Sequence, residues 1–383
     1  ATQPAPGLPG EPAPVAPAAG AAPVTAAPRG AVLKQAGDGL RAIVEFLTGP
    51  DSPLSAVELI GVSRARLVID DRAARQTWLF DAMELAVRKD AAGAHIDLSA
   101  RGPNGRWSVS ALATGARGES QTLQIKLDGL SRDEIAILSG MREPGFDFDM
   151  PVSATFDLGL KPGGLVDVAG GRFTFGAGYL RLDDPDHEPL MIDRIDGGFF
   201  WDAEARRIRI GKTEFAAADT KFAFAGELAP PAEPGGGWRF EGGLVDKASY
   251  GQERRSDAPI GLSRGKLIVT ATPAAKTLRI ESFEVGGPEV DLRIEGDITW
   301  LEGPRVKLGI TTGRMPTRAV MRLWPAFVAP AVREWLFTRL RGGAFEKGRI
   351  DLDLDAQALR AMRADKPLPT DEAVAIDFSV NDA

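Results

Sequence analysis

His95, Asp97 and Ser99 stand at alternate positions of one short segment and are the three residue types of a nucleophilic relay. On a strand they project outward in a row, with no strained turn to present a nucleophile and no oxyanion donor, so they read as polar side chains of a solvated strand face. Asp351, Asp353 and Asp355 have the opening spacing of a calcium loop, but Ala356 replaces the required glycine and Met362 the closing glutamate. Asp183, Asp184, Asp186, His187 and Glu188 are dense enough to hold a divalent ion, yet Pro185 and Pro189 make the segment a turn between strands. The glycine-rich run 163–178 lacks the lysine and hydroxyl of a phosphate loop. Arg206, Arg207 and Arg209 are offset by Asp202 and Glu204, which leaves no concentrated positive patch. No catalytic residue, metal or cofactor is expected, and the chain reads as a non-enzyme.

Composition agrees. The chain of 383 residues has no cysteine and 2 histidines, which removes disulfides, thiolate sites and most imidazole chemistry. A net charge of −7 argues against nucleic acid as a partner, because phosphate binding needs a concentrated positive surface. Hydrophobic residues make up 44% and charged residues 26%, enough apolar material for a buried core. No apolar run is long enough to span a bilayer.

The elements that would position any site are mostly strands. Residues 1–30 are nearly all alanine, proline and glycine and are expected to form a disordered linker. Leu40, Ile43, Val44 and Leu47 have the spacing of a one-sided helix, expected to pack on the neighbouring sheet. From Val62 onward the period is two: Leu123, Ile125 and Leu127 alternate with polar residues, as do Val290, Leu292, Ile294 and Ile298, and again Ile350, Leu352 and Leu354. Turn signals such as Pro103-Asn104-Gly105 separate the runs and favour antiparallel hairpins. Residues 205–228 align without a gap on 275–298, pairing Arg209-Ile210 with Arg279-Ile280, Glu214 with Glu284 and Gly226 with Gly296. A repeated unit that cannot close its own core points to a stacked architecture. The fold class is therefore mainly β: an extended, curled antiparallel sheet, a repeat β-groove with a few short helices. The expected division is linker 1–30, helix plus meander 31–130, repeat sheet 131–314 with units near 190–228 and 260–298, two-helix insert 315–343, and continuing sheet 344–383. A strand-like run from Val374 to Val380 stops three residues before the end, so the chain is expected to be a piece of a longer protein.

The insert carries Met315-Pro316, Leu323-Trp324-Pro325, Val328-Ala329-Pro330, Arg333-Glu334-Trp335 and Gly342-Gly343. Thr317 would cap its first helix, Pro325 stop it, Pro330 open the second, and the glycine pair release the chain. With Ala65-Arg66-Leu67-Val68-Ile69-Asp70-Asp71, Trp78 and the repeat texture, this segment resembles YhdP-type members of the AsmA-like superfamily, and Trp324, Pro325, Pro330 and Trp335 carry the resemblance. What it implies is a protein of the bacterial periplasm, held in the inner membrane by an anchor outside this segment. Phospholipid acyl chains would pass along its β-groove toward the outer membrane. Lipid-facing candidates are Ile208, Ile210, Phe222, Phe224, Leu278, Ile280, Leu292, Ile294 and Ile298. The alternative is a structural envelope scaffold or protein-docking β-solenoid without lipid, and other envelope proteins are possible partners under either reading.

Overall fold

The structure is a computed structural model that describes residues 41–381 apart from 43, 50–51, 53–57, 72–75, 103–104, 116–118, 140–145, 163–164, 183–188, 234, 252–257, 302, 324–333, 335–337, 340–341 and 364–372. Several sequence expectations lie outside the described residues: the linker 1–30, Leu40 and Ile43, the 183–188 cluster with His187, and Trp324, Pro325, Pro330 and Trp335 of the insert.

The described chain is mainly β and antiparallel throughout. Its strands are β1 (Leu59–Asp71), β2 (Gln76–Asp90), β3 (Gly93–Gly102), β4 (Gly105–Thr114), β5 (Gln121–Leu130), β6 (Phe146–Asp149), β7 (Val152–Leu160) and β8 (Val166–Phe175). There follow β9 (Gly178–Leu182), β10 (Leu190–Ile192), β11 (Arg194–Asp202), β12 (Arg207–Ala217), β13 (Thr220–Ala229), β14 (Trp238–Leu244), β15 (Ala248–Tyr250) and β16 (Ile260–Leu262). The remainder are β17 (Arg264–Thr272), β18 (Thr277–Gly286), β19 (Asp291–Thr299), β20 (Arg305–Thr312), β21 (Met315–Pro316), β22 (Ala344–Leu354) and β23 (Val374–Asn381). One sheet has 20 strands. Its hydrogen-bonded order is β1-β2-β3-β4-β5-β7-β8-β11-β12-β13-β14-β17-β18-β19-β20-β22-β23, with β15, β16 and β21 as short side branches. Strands β6, β9 and β10 form a separate ribbon. The large sheet does not close: β1 and β23 are its two ends. At about 4.8 Å per strand the ladder is on the order of 80 Å long.

The sequence repeat is a structural repeat. Ile208 faces Leu228 and Ile210 faces Gly226, as Leu278 faces Ile298 and Ile280 faces Gly296. Both hairpins then bulge at the same place: Gly211 and Lys212 oppose Ala225, and Glu281 and Ser282 oppose Glu295. Before each hairpin a non-glycine residue takes the left-handed conformation, Arg206 at φ 53° and Lys276 at φ 47°. The match extends one strand further back, since Arg194 faces Ala216 just as Arg264 faces Gly286. Bulges bend and twist the strand that carries them, and here the bend recurs with the repeat.

Gly296 sits at this bulge with φ +145°, where a β-carbon would come 2.1 Å from the Lys307 carbonyl oxygen. Gly296→Ala should therefore lower stability by about 2 kcal/mol. Urea denaturation measures it, and an unshifted midpoint would contradict the geometry.

Short helices meet the sheet toward its two ends, and four of them are placed among the described residues. Helix α1 (41–48) lays Val44 and Leu47 on the small residues Ala94 and Ala113 beside Leu123, as its spacing predicts. Helix α2 (Arg132–Ser139) starts in half of a capping box, in which Glu134 Oε2 accepts from the Ser131 amide at 2.7 Å and also from the Ser131 hydroxyl. Helix α3 (Thr317–Leu323) buries Ala319, Val320 and Met321, and helix α4 (Ala356–Arg363) buries Ala358. Both join the core built on Phe345, Leu352 and Leu354. Asp355 caps α4, accepting from the Gln357 and Ala358 amides at 2.9 and 2.8 Å.

Glu134 is 2% exposed. Burial pushes its carboxyl above the usual carboxylate range, against the opposing pull of the Ser131 amide. Folding thus favours the protonated form, whose contribution is complete below the unfolded pKa and is lost as pH rises through the raised folded value. Glu134→Gln keeps an acceptor for the Ser131 amide and removes the charge. The variant should melt above wild type at about pH 8, with the gap closing toward about pH 4; a gap independent of pH would show that the charge is not the cost.

Candidate functional site

Residues directly opposed in an antiparallel ladder share a face, so the registers can be followed across the sheet. Ile208 and Ile210 on β12 oppose Trp201 and Phe199 on one side, and Leu228 and Gly226 on the other. Phe222, Phe224 and Leu228 on β13 continue to Leu244 and Phe240 on β14, then to Val269 on β17 and Ile280 on β18. Leu278 opposes Ile298 on β19, and Ile294 opposes Ile310 on β20. The same face runs back through Phe173, Ala154, Leu127 and Val109, and forward through Ile350 and Ile376. All nine sequence candidates therefore lie on one continuous apolar face.

Buried hydrophobic clusters form at the ends of that face and not in its middle. Three buried clusters form: one beneath α1 on β3, β4 and β5, one around Phe80, Trp107 and Leu130, and one beneath α3 and α4. None includes a residue of β8, β11, β12, β13, β14 or β17. Leu292 packs against the C-terminal cluster, so of the candidates it belongs to the covered part; Ile208, Ile210, Phe222, Phe224, Leu278, Ile280, Ile294 and Ile298 are half-buried and join no cluster.

In the open stretch aromatic rings lie down over glycines. A β-carbon at Gly171 would come 2.7 Å from the Phe156 ring, one at Gly197 2.7 Å from Phe173, and one at Gly242 2.6 Å from Phe240. Phe215 stacks on Phe222 at 4.7 Å between centroids. The rings shield the backbone, and the surface they leave is apolar.

The opposite face is a lattice of ion pairs. Arg279 reaches Asp297 at 2.8 Å, Arg239 reaches Glu241 at 2.8 Å, and Arg305 reaches Asp353 at 2.8 Å. Exposed pairs of this kind contribute about 0–1 kcal/mol each, so their effect is to keep that face wet. The calcium-like carboxylates belong here: Asp351 bonds Arg349, which holds its carboxyl below the usual range, and Asp353 serves Arg305 and Lys307. His95 turns to Asp90 at 3.3 Å across the β2–β3 hairpin. Among the described residues no three His, Asp or Glu side chains gather as a metal site, and no helix is long and apolar enough to cross a membrane.

No family model, curated protein or solved structure matches the chain. Function must be argued from the two faces.

Sequence reasoning missed one feature of the wet face. Two adjoining clefts, of about 810 and 450 Å³, lie there over β3–β5, β7, β8, β11 and β12. Their signal is the set of glycines at 170, 198 and 211, which only strand pairing brings together.

Proposed function

We propose that this protein is a non-catalytic lipid-shielding module of the bacterial periplasm, which carries phospholipid between inner and outer membranes with acyl chains laid on the apolar face of its sheet. An AsmA-like, YhdP-type identity, with an inner-membrane anchor outside this chain, belongs to the same reading. The observation that carries it is the apolar stretch from β8 to β17, none of whose residues joins a buried cluster among the described residues. Each methylene that leaves water gains about 0.8 kcal/mol, so such a face can hold a chain without a specific pocket. Strands of about eight residues span roughly 25 Å, the scale of an extended acyl chain. The recurring bulges support a sheet bent along its length.

Native mass spectrometry after gentle purification from bacteria tests the proposal. Bound phospholipid, released by organic extraction, is the expected result; a protein free of lipid would reject it. The scaffold reading has its own support in β1, a long end strand that exposes Leu59, Ile60 and Val68. It is favoured if the protein carries no lipid.

A further inference from the structure

On the wet face most arginines and lysines are matched to a carboxylate, and a floor of glycines interrupts the side chains where β8, β11 and β12 meet. Gly170 on β8 and Gly198 on β11 leave a floor without side chains, and Gly211 adjoins it. A β-carbon at Gly198 would come 2.9 Å from the Gly171 carbonyl oxygen and 3.4 Å from the Arg172 stem. The floor therefore needs glycine, and the Arg172 stem lies along it. Phe200, 50% exposed, opposes Gly170, and Val168, 52% exposed, stands beside it. These are apolar side chains on the charged face, and the Arg209 guanidinium lies 6.0 Å from the Phe200 ring centroid.

The polar groups at this floor are mixed. Arg172 and Asp157 are exposed and make no ion pair or side-chain hydrogen bond among the described residues. By contrast Lys212 is held by Glu214 at 2.7 Å and Asp246 at 2.9 Å, and Asp196 by Arg194 and Thr174. Thr155, opposite Arg172, adds a hydroxyl.

Charge decides the ligand class. Arg172 and Lys212 stand against Asp157, Asp196 and Glu214, so an anion meets an excess of carboxylate. An acyl chain would strip water from Arg172 and Asp157 with nothing in return. A sugar ring fits both demands: its hydroxyls accept from guanidinium and donate to carboxylate, and its C–H face covers an aromatic ring. The volume of about 810 Å³ lies in the small-ligand range of roughly 300–1,000 Å³.

We infer that this cleft binds a neutral saccharide, with Phe200 beneath the ring and Arg172 and Asp157 hydrogen-bonding its hydroxyls. The site goes beyond the lipid reading and uses the opposite face of the sheet.

Saturation-transfer NMR on the full chain tests it with cellotetraose, chitotetraose and maltotetraose. Transfer to at least one is expected, with binding about tenfold weaker in Phe200→Ser and in Arg172→Ala. Both side chains are exposed, so melting should be unchanged. Asp157→Asn, which alters one acceptor and almost no volume, gives the same readout should Phe200→Ser fail to fold. Absence of transfer from all three sugars, equal binding in the folded variants, or tighter binding of phenyl phosphate than of any sugar would overturn the inference.

Discussion

Phe224→Asp is expected to remove phospholipid from the protein while leaving it folded. Phe224 sits at the centre of the open stretch, opposed by Thr213 on β12 and Leu244 on β14, with the Phe222 ring 6.3 Å away. Because the side chain is half-buried and belongs to no core cluster, a carboxylate there stays hydrated in the lipid-free protein. The folding loss should be limited to ring contacts of about 1 kcal/mol. With an acyl chain laid over it, the same carboxylate would lose its water, at a cost of several kcal/mol. Lipid retained through purification should fall by more than about tenfold. Lys221→Asp adds a carboxylate on the wet face of the same strand and should retain lipid as wild type does. Equal retention in a folded Phe224→Asp protein would reject the apolar face as the lipid site.

Phe345→Ala is expected to act on the fold instead. Phe345 is 2% exposed, faces Val380, and holds its ring 5.2 Å from Phe378 within the cluster that α3 and α4 cover. Truncation leaves a cavity where helix and sheet meet, and the loss should be about 4 kcal/mol. Phe224→Ala, a change of the same atoms on the open stretch, should lose about 1 kcal/mol. Chemical denaturation of the two variants compares a covered position with an open one; similar losses would mean that the middle of the face is as enclosed as its end.

The large pattern of the fold is legible because one wet face and one dry face print a period of two on each strand. Leu123, Ile125 and Leu127 on β5, or Ile350, Leu352 and Leu354 on β22, announce both strand and face. Helix α1 is legible for the same reason, through Val44 and Leu47. The repeat is readable from Arg209-Ile210 and Gly226, but its extra strand is not. Arg194–Asp202 and Arg264–Thr272 share little beyond the opening arginine, and backbone pairing alone sets their equivalence. The bulges escape too, since Gly211-Lys212 and Glu281-Ser282 have no residue type in common.

What the faces do is less legible. Alternation puts Leu292 and Ile294 on one side without saying that the first lies by the C-terminal core and the second beyond it. The wet-face cleft depends on Gly170, Gly198 and Arg172, which come together only through the β8–β11 register. Read along the chain, the glycines of 163–178 invite comparison with a phosphate loop. Across the sheet, those at 170 and 171 instead let neighbouring strands and an aromatic ring approach closely.

Site-specific photo-crosslinking tests the central claim most directly. A benzophenone side chain at Ile210 or Ile280, on the open face, and at Arg209 or Arg279, on the wet face, would be irradiated in cells and the adducts identified by mass spectrometry. Phospholipid adducts at Ile210 and Ile280, with none at Arg209 and Arg279, are the expected result. Adducts at neither pair, or equally at both, would contradict an acyl chain lying on the apolar face.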